Sequence, residues 1–298
     1  MNPVALYFAS GESLYAGVAI LMLAIVVSPL LERQWILRLR SVVAWLALAL
    51  IGMACPPFSW IIDAIFLALF ATWFILSKKR TPGKTLVAVR IGAGVMLFML
   101  LLVLSLLEFS HRSMPVISGV PSDHVVVIGD SISSGIDSRV SSWPFVMQES
   151  TGVPVKNLAR PGAQAMDGEA MARQVKADDR VVVVEIGGND LLLGTPSKDF
   201  EKGLDATLSE LAAPGRTVVM FELPLLPHMI TYGQIQRRLA TKYGVFLIPK
   251  RYFADVLGGS DGTSDGLHLS NLGVRRMATL VAQALSHVLE LHGQVPAA

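Results

Sequence analysis

The chain has 298 residues, 25 Lys and Arg against 23 Asp and Glu, and a single cysteine, so an intrachain disulfide is excluded and cysteine usage carries no information about compartment. The charges divide unevenly: nine cationic and four acidic side chains precede residue 113, and 16 and 19 follow it. A basic, apolar part joined to a slightly acidic, ordinary-looking part argues against nucleic acid as a partner.

Four apolar stretches occupy the first part: residues 14–31, 42–55 running on towards Trp60, 61–77 and 86–107. The first and last approach the roughly 20 residues needed to cross a bilayer. In the middle pair, Pro56-Pro57 interrupts the run and Asp63 stands near the start of the next, so these two form either a transmembrane or a re-entrant hairpin. Either returns the chain to the side it left. Residues 1–112 are therefore expected to be a transmembrane helical region of about four helices.

Orientation follows from the cations. Arg33, Arg38 and Arg40 lie in or beside the first connection, and Lys78, Lys79, Arg80 and Lys84 in the third, with Arg90 just inside the last helix. Short connections rich in Lys and Arg mark the cytoplasmic side. The N-terminus and everything after Leu107 are then extracytoplasmic, held to the plasma (inner) membrane by an uncleaved bundle, which fits the absence of Lys or Arg before Arg33. The bundle serves as an anchor or an oligomerisation surface; the alternative is that it presents a lipid-linked substrate. Asp63 lies close enough to the outer boundary to be merely interfacial, and no role is assigned to it.

Residues 113–123, within a Pro- and Gly-containing stretch from Ser110 to His124, read as a linker. About 15 extended residues reach roughly 50 Å, so the domain at 124–298 stays near the membrane surface. There the pattern alternates. Strand-like runs at 125–128, 153–158, 181–186, 217–223 and 245–248 are separated by helix-like runs at 143–150, 168–175, 200–211 and 231–243, with a last amphipathic run over 271–291. Five strands alternating with helices predict an α/β fold with a parallel sheet covered on both faces.

Polar, glycine-rich stretches follow these strands, where an open α/β sheet places its ligand chemistry. The first strand ends in Gly129-Asp130-Ser131. After the second comes Asn157-Leu158-Ala159-Arg160-Pro161-Gly162-Ala163, and after the third Gly187-Gly188-Asn189-Asp190. Ser264-Asp265-Gly266-Leu267-His268 precedes the final helix. Together they suit acyl transfer: Ser131 as nucleophile, His268 as its base, and Asp265, three residues earlier, as the carboxylate that orients the imidazole. Fixed donors for a developing oxyanion are available in the Ser131 and Gly162 backbone N–H groups and the Asn189 amide.

These stretches resemble the blocks of the SGNH hydrolases, also called the GDSL family. Gly129-Asp130-Ser131 matches the first block, Gly162 the second, Gly187-x-Asn189-Asp190 the third and Asp265-x-x-His268 the fifth, in family order, over roughly residues 123–291. The resemblance implies a flavodoxin-like sheet of order 2-1-3-4-5, a Ser131-His268-Asp265 triad, an oxyanion hole from Ser131, Gly162 and Asn189, and no metal or organic cofactor. Trp143-Pro144, Arg160-Pro161-Gly162 and Leu223-Pro224 look most like the branch holding bacterial arylesterases, lysophospholipases and thioesterase I. Leu269 stands where many members have Pro, which implies a local loop change. The N-terminal helices are absent from simple secreted members, so those members' substrate preferences do not carry over to this chain.

The remaining candidates are weaker. His228, after the fourth strand, is a surface-loop histidine or a wall of the acyl pocket. Glu185 reads as a buried, hydrogen-bonded structural carboxylate, and Asp190 as a residue that holds its own loop through side-chain to backbone bonds. His124, His287 and His292 show no metal-ligand spacing. The sequence thus predicts a membrane-anchored extracytoplasmic serine esterase acting on O-acyl groups of envelope glycans, on lysolipids or on small acyl or aryl esters. Two other classes stay open: an acyltransferase using the same triad with a sugar hydroxyl in place of water, and a non-catalytic envelope binding module.

Overall fold

The computed structural model describes residues 3–27, 34–54, 56–78, 83–135, 141–258 and 261–289, with the side chains of residues 3, 34–37 and 228 left aside. Arg33, Cys55, Lys79, Arg80 and His292 lie outside the described residues. The chain forms two compact units. One is Gly11–Arg112; the other joins Met1–Ser10 to Ser113–Ala298.

Helix α1 (Pro3–Ala9) belongs to the second unit, and the helical unit begins with α2 (Ser13–Val27), followed by α3 (Gln34–Met53), α4 (Trp60–Ser77) and α5 (Lys84–Ser110). Helices α4 and α5 are the two long and apolar enough, among the described residues, to cross a membrane. Helix α2 is apolar but has only 15 residues, short of the roughly 20 that a crossing takes. Among the described residues, two of the expected four or so helices thus have the length and composition of a crossing. A buried layer of Leu14, Leu21, Ala47, Phe70, Trp73, Leu97 and Leu101 holds the unit together. Arg40 is buried here and donates through Nη2 to the carbonyl oxygen of Ser77, at the C-terminal end of α4, where a cation complements the unpaired carbonyls.

The second unit is an α/β domain. Its five strands are β1 (Val125–Gly129), β2 (Val155–Asn157), β3 (Val181–Glu185), β4 (Thr217–Phe221) and β5 (Phe246–Ile248), all parallel in the order β2-β1-β3-β4-β5. This is the order expected from the sequence. Every residue of β1, β3 and β4 is buried, as strands covered on both faces require, which explains their unbroken runs of valine. Between them come α6 (Ser131–Ser134), α7 (Trp143–Thr151), α8 (Gly168–Ala172), α9 (Gly188–Leu193), α10 (Ser197–Leu211) and α11 (Ile230–Tyr243), and after β5 come α12 (Lys250–Gly258) and α13 (Asn271–Ala284).

Three features differ from the sequence pattern. The sequence pattern gives no helix over α12, which follows Pro249 directly after β5 and opens on Lys250-Arg251. Helix α13 ends at Ala284, and the chain beyond it turns rather than continuing helically, with Leu289 forming a bridge to Ser122. The segment read as a linker lies along the domain: Ile117 is fully buried in the core, and the Ser122 N–H donates to the Val288 carbonyl at 2.9 Å.

Candidate active site

The parallel sheet brings the ends of β1, β2 and β3 to one edge, and the polar stretches follow from there. Gly129 closes β1 opposite Glu185 of β3. A Cβ on Gly129 would stand 2.7 Å from Ser133 Oγ and 2.8 Å from the Glu185 carbonyl oxygen, so only glycine lets the chain turn this tightly. Asp130 then caps the turn, its Oδ1 accepting the Ile132 N–H at 2.9 Å. Ser131, the candidate nucleophile, is the first residue of α6 and is partly exposed. Its Oγ has no hydrogen-bond partner among the described residues, nor do the backbone N–H groups of Ser131 and Gly162. Gly162 has φ +77° with open space around it, a conformation that side-chain-bearing residues rarely adopt and that leaves its N–H accessible.

His268 and Asp265 are brought together by their loop. Asp265 Oδ2 lies 2.7 Å from His268 Nδ1, while its Oδ1 accepts the backbone N–H groups of His268 at 2.7 Å and Leu267 at 2.9 Å. The bond to the His268 ring, helped by these two N–H donors, holds the Asp265 carboxyl far below the usual carboxylate range. Asp265 is thus ionised at any working pH and aims its charge at Nδ1, leaving Nε2 for proton transfer. Leu269, in place of the expected proline, is buried beside this loop. Among the described residues no hydrogen bond joins His268 to Ser131; catalytic hydrogen bonds often tighten only in the substrate complex.

Asn189, on α9, donates both hydrogens of its amide: to the Ala163 carbonyl at 3.0 Å and to Asp130 Oδ2 at 3.2 Å. It therefore ties the first-, second- and third-block turns to one another. Asp190 does more than hold its own loop. It is buried, and its Oδ2 accepts the Ala165 N–H at 2.9 Å, so it pins the turn after Gly162 to the turn after β3. Burial raises its carboxyl above the ordinary value.

A network that sequence patterns did not disclose lies beneath Ser131. Trp143 Nε1 donates to Ser133 Oγ at 3.1 Å, and Ser133 Oγ donates to Glu185 Oε2 at 2.8 Å. Asn157 Nδ2 adds a bond to the Ser133 carbonyl at 2.9 Å. Glu185 is fully buried, so desolvation, reinforced by the Asp130 charge, drives its carboxyl well above the normal range. Desolvation also raises Asp130. The one visible signal was a carboxylate set inside an apolar strand.

His228 falls in the turn Pro227–Met229, and its side chain lies outside the described residues. His124 sits away from the site, at the N-terminal end of β1, with Nδ1 2.6 Å from Asp123 Oδ1 and Nε2 2.9 Å from Asp179 Oδ1. Among the described residues, no three or more His, Cys, Asp or Glu side chains are grouped to hold a metal ion.

A doubly covered parallel sheet of this order, with Ser, Gly, Asn and Asp-His loops following its strands, defines an ester-hydrolysing α/β enzyme. The sequence profile of the GDSL-like Lipase/Acylhydrolase family matches residues 127–276, and the chain belongs to that family. Among curated proteins it is 26% identical over 159 residues to the esterase TesA of Pseudomonas aeruginosa, covering 48% of this chain and 78% of the relative. It is 27% identical over 180 residues to an arylesterase of Vibrio mimicus, covering 55% and 88%. A crystal structure of TesA aligns over 56% of this chain and 99% of its own, at 24% identity and a TM-score of 0.48.

Proposed function

We propose that the chain is a membrane-anchored serine esterase working outside the cytoplasm, with Ser131 as nucleophile, His268 as general base and Asp265 as its orienting carboxylate. The observation that carries this is the 2.7 Å Asp265 to His268 pair on a loop of the same domain that presents Ser131 at the end of β1. In the forward step Ser131 Oγ attacks the ester carbonyl while its proton passes to His268 Nε2. The carbonyl oxygen gains negative charge and is met by the Ser131 and Gly162 N–H groups, with the Asn189 amide as third donor once it swings from Asp130. Collapse breaks the bond to the alcohol, which leaves with the proton from His268. Water, deprotonated by the same imidazole, then releases the acid and restores Ser131.

For the substrate, Met166, Leu192, Leu193 and Leu226, all exposed, follow β2, β3 and β4 on the site's side of the sheet, and Leu267 adjoins His268. Such side chains favour an ester whose acyl part is apolar. Attachment to α4 and α5 keeps the domain with the membrane, where lysolipids and acylated envelope glycans are the ester-bearing molecules. The cations of the short connections support an extracytoplasmic side for the domain. A panel of oxygen esters from acetyl to long-chain acyl, assayed on the full chain in detergent, tests the substrate class: activity rising with chain length supports a lipid substrate, and activity confined to acetyl esters supports glycan deacetylation. Alkaline phosphatase fused after residue 112 tests the orientation. An active fusion is expected, and an inactive one beside an active cytoplasmic reporter contradicts it.

A further inference from the structure

The helical unit holds an open cavity of about 320 Å³ between α2, α4 and α5, within the range of roughly 300–1,000 Å³ that takes small-molecule ligands. Its wall includes Ile25, Trp73, Gly94, Val95 and Met99, and Arg90 is the charged residue among those described there. Gly94 lets α5 pack close to both neighbours: a Cβ there would stand 3.2 Å from Trp73 Cδ1 and 3.4 Å from Ile25 Cγ2. Two polar groups of this apolar wall are unanswered. Among the described residues the half-buried Arg90 makes no ion pair and no side-chain hydrogen bond, and Nε1 of Trp73, a side chain 2% exposed, makes no hydrogen bond either. A guanidinium keeps its charge at any working pH, and a buried indole N–H ordinarily finds an acceptor. The unit's own acids do not serve. Glu12 pairs with Arg112, and Glu32 lies outside the described residues. Glu108 stands about 27 Å along α5 from Arg90, and Asp63 about 15 Å along α4 from Trp73, at the rise of an α-helix.

From this arrangement we infer that the groove binds one anionic phospholipid, with its phosphate on Arg90, an ester carbonyl on Trp73 Nε1 and an acyl chain along Val95 and Met99. The order of the groups along α5 matches such a molecule. Arg90 and Gly94 are one turn apart, about 6 Å along the axis, and Trp73 Nε1 lies 3.5 Å from where a Gly94 Cβ would be. Val95 and Met99 continue the wall away from Arg90 and are exposed, so a chain can enter from the side. An anion followed by ester oxygens and then hydrocarbon satisfies all three in sequence. The inference rests on the reading that α4 and α5 cross the bilayer. Arg90 lies near the end of α5 that follows the cationic connection, where anionic headgroups collect. The chain leaves α5 for the hydrolase unit at the other end, Ser110, about 30 Å along the helix. A lipid held at Arg90 is therefore a fixture of the anchor and not the ester that Ser131 attacks.

The test titrates the full chain, purified in a non-ionic detergent, with dioleoyl phosphatidylglycerol or dioleoyl phosphatidylcholine, and counts retained lipids by native mass spectrometry. Wild type is expected to hold one phosphatidylglycerol about 5-fold more tightly than phosphatidylcholine, the worth of one cation beside an anionic headgroup. Arg90→Gln is expected to bind the two lipids equally. Trp73→Phe removes the N–H and keeps the ring, and both lipids should weaken about 5-fold. Val95→Trp fills the groove, and both should weaken about 10-fold or more, as lost contact with a few methylenes requires. Ester hydrolysis by all three variants is expected within about 2-fold of wild type, because the groove is remote from the active site. Equal affinity of wild type for the two lipids, or a preference that survives Arg90→Gln, overturns the phosphate site. Undiminished binding in Trp73→Phe and Val95→Trp overturns the groove, and lipid-free pairs of chains show that a second copy covers this face instead. If Val95→Trp does not fold, Met99→Trp takes its place. Extraction with alkaline carbonate separates these outcomes from a wrong membrane reading: a chain released from membranes defeats the anchor itself, whereas one that is retained confines any failure to the groove.

Discussion

In β1 all five residues from Val125 to Gly129 are buried, whereas along α5 the small or inward-facing Ala93, Gly94, Leu97 and Leu101 are covered and Val95, Met96, Met99, Val103, Leu106 and Leu107 point outward. Both segments are almost wholly apolar. In the hydrolase unit the apolar side chains exclude water from the interior, and polar groups gather where the strands end, in turns tied by Asp130, Asn157, Glu185, Asn189 and Asp190. In the helical unit the outward side chains of α5 are exposed among the described residues, on a helix long and apolar enough to cross a membrane. The difference shows that hydrophobic composition alone does not separate a core from an exposed apolar face. The period of burial does: continuous in a doubly covered strand, one stripe in a helix.

The sharpest way to break this comparison is to remove chemistry while leaving packing intact. His268→Gln is expected to lower kcat by about 10⁴-fold or more in an ester hydrolysis assay, with an unchanged unfolding midpoint, because the exposed loop contributes catalysis and little core. A variant that retained a tenth of the activity would remove His268 from the base role. Next comes Asn189→Ala, for which steady-state kinetics should show a 100- to 1,000-fold fall in kcat with KM little changed.

Packing substitutions contrast the units directly. Leu204, fully buried on α10, should cost about 2 to 5 kcal/mol when changed to alanine, measured by denaturant unfolding of the hydrolase activity. Leu106→Ala, on the outward face of α5, should change the same midpoint by no more than about 0.5 kcal/mol. Equal effects at the two positions would mean that the outward face is a packed interface. The smallest effect concerns His124. Its hydrogen bond to Asp123, assisted by Asp179, raises its pKa in the folded state. The folded form then binds the proton more tightly than the unfolded one, so this stabilisation is complete below about pH 6.5 and fades as pH climbs through the raised value. His124→Gln should flatten that part of a thermal-unfolding pH series. An unchanged series would show that the His124 cluster contributes nothing.

What was legible in the sequence follows from what is local. The runs beginning at Val125, Val181 and Thr217 reveal their strands because double burial forbids polar interruptions, and their order follows once the strand-end blocks are recognised. Ser131, Gly162, Asn189, Asp265 and His268 stood out because turns concentrate unusual residues. Residues that act through long-range pairing did not stand out. Glu185 reads from the sequence as a buried, hydrogen-bonded carboxylate, but its partner Ser133 follows only from β3 lying beside β1 with Gly129 opposite Glu185, and the Trp143 bond to Ser133 likewise joins residues ten apart. The apolar runs were legible, but their helix lengths were not: α2 is as apolar as α4, yet it has 15 residues against 18.

The most direct test is to treat membranes holding the full chain with a fluorophosphonate probe, then digest and map the adduct by mass, for wild type and Ser131→Ala. The account predicts stoichiometric phosphonylation of Ser131 in wild type and none in the variant. An inserted, folded wild-type chain that stays unmodified, or an adduct mapping to another residue, contradicts it.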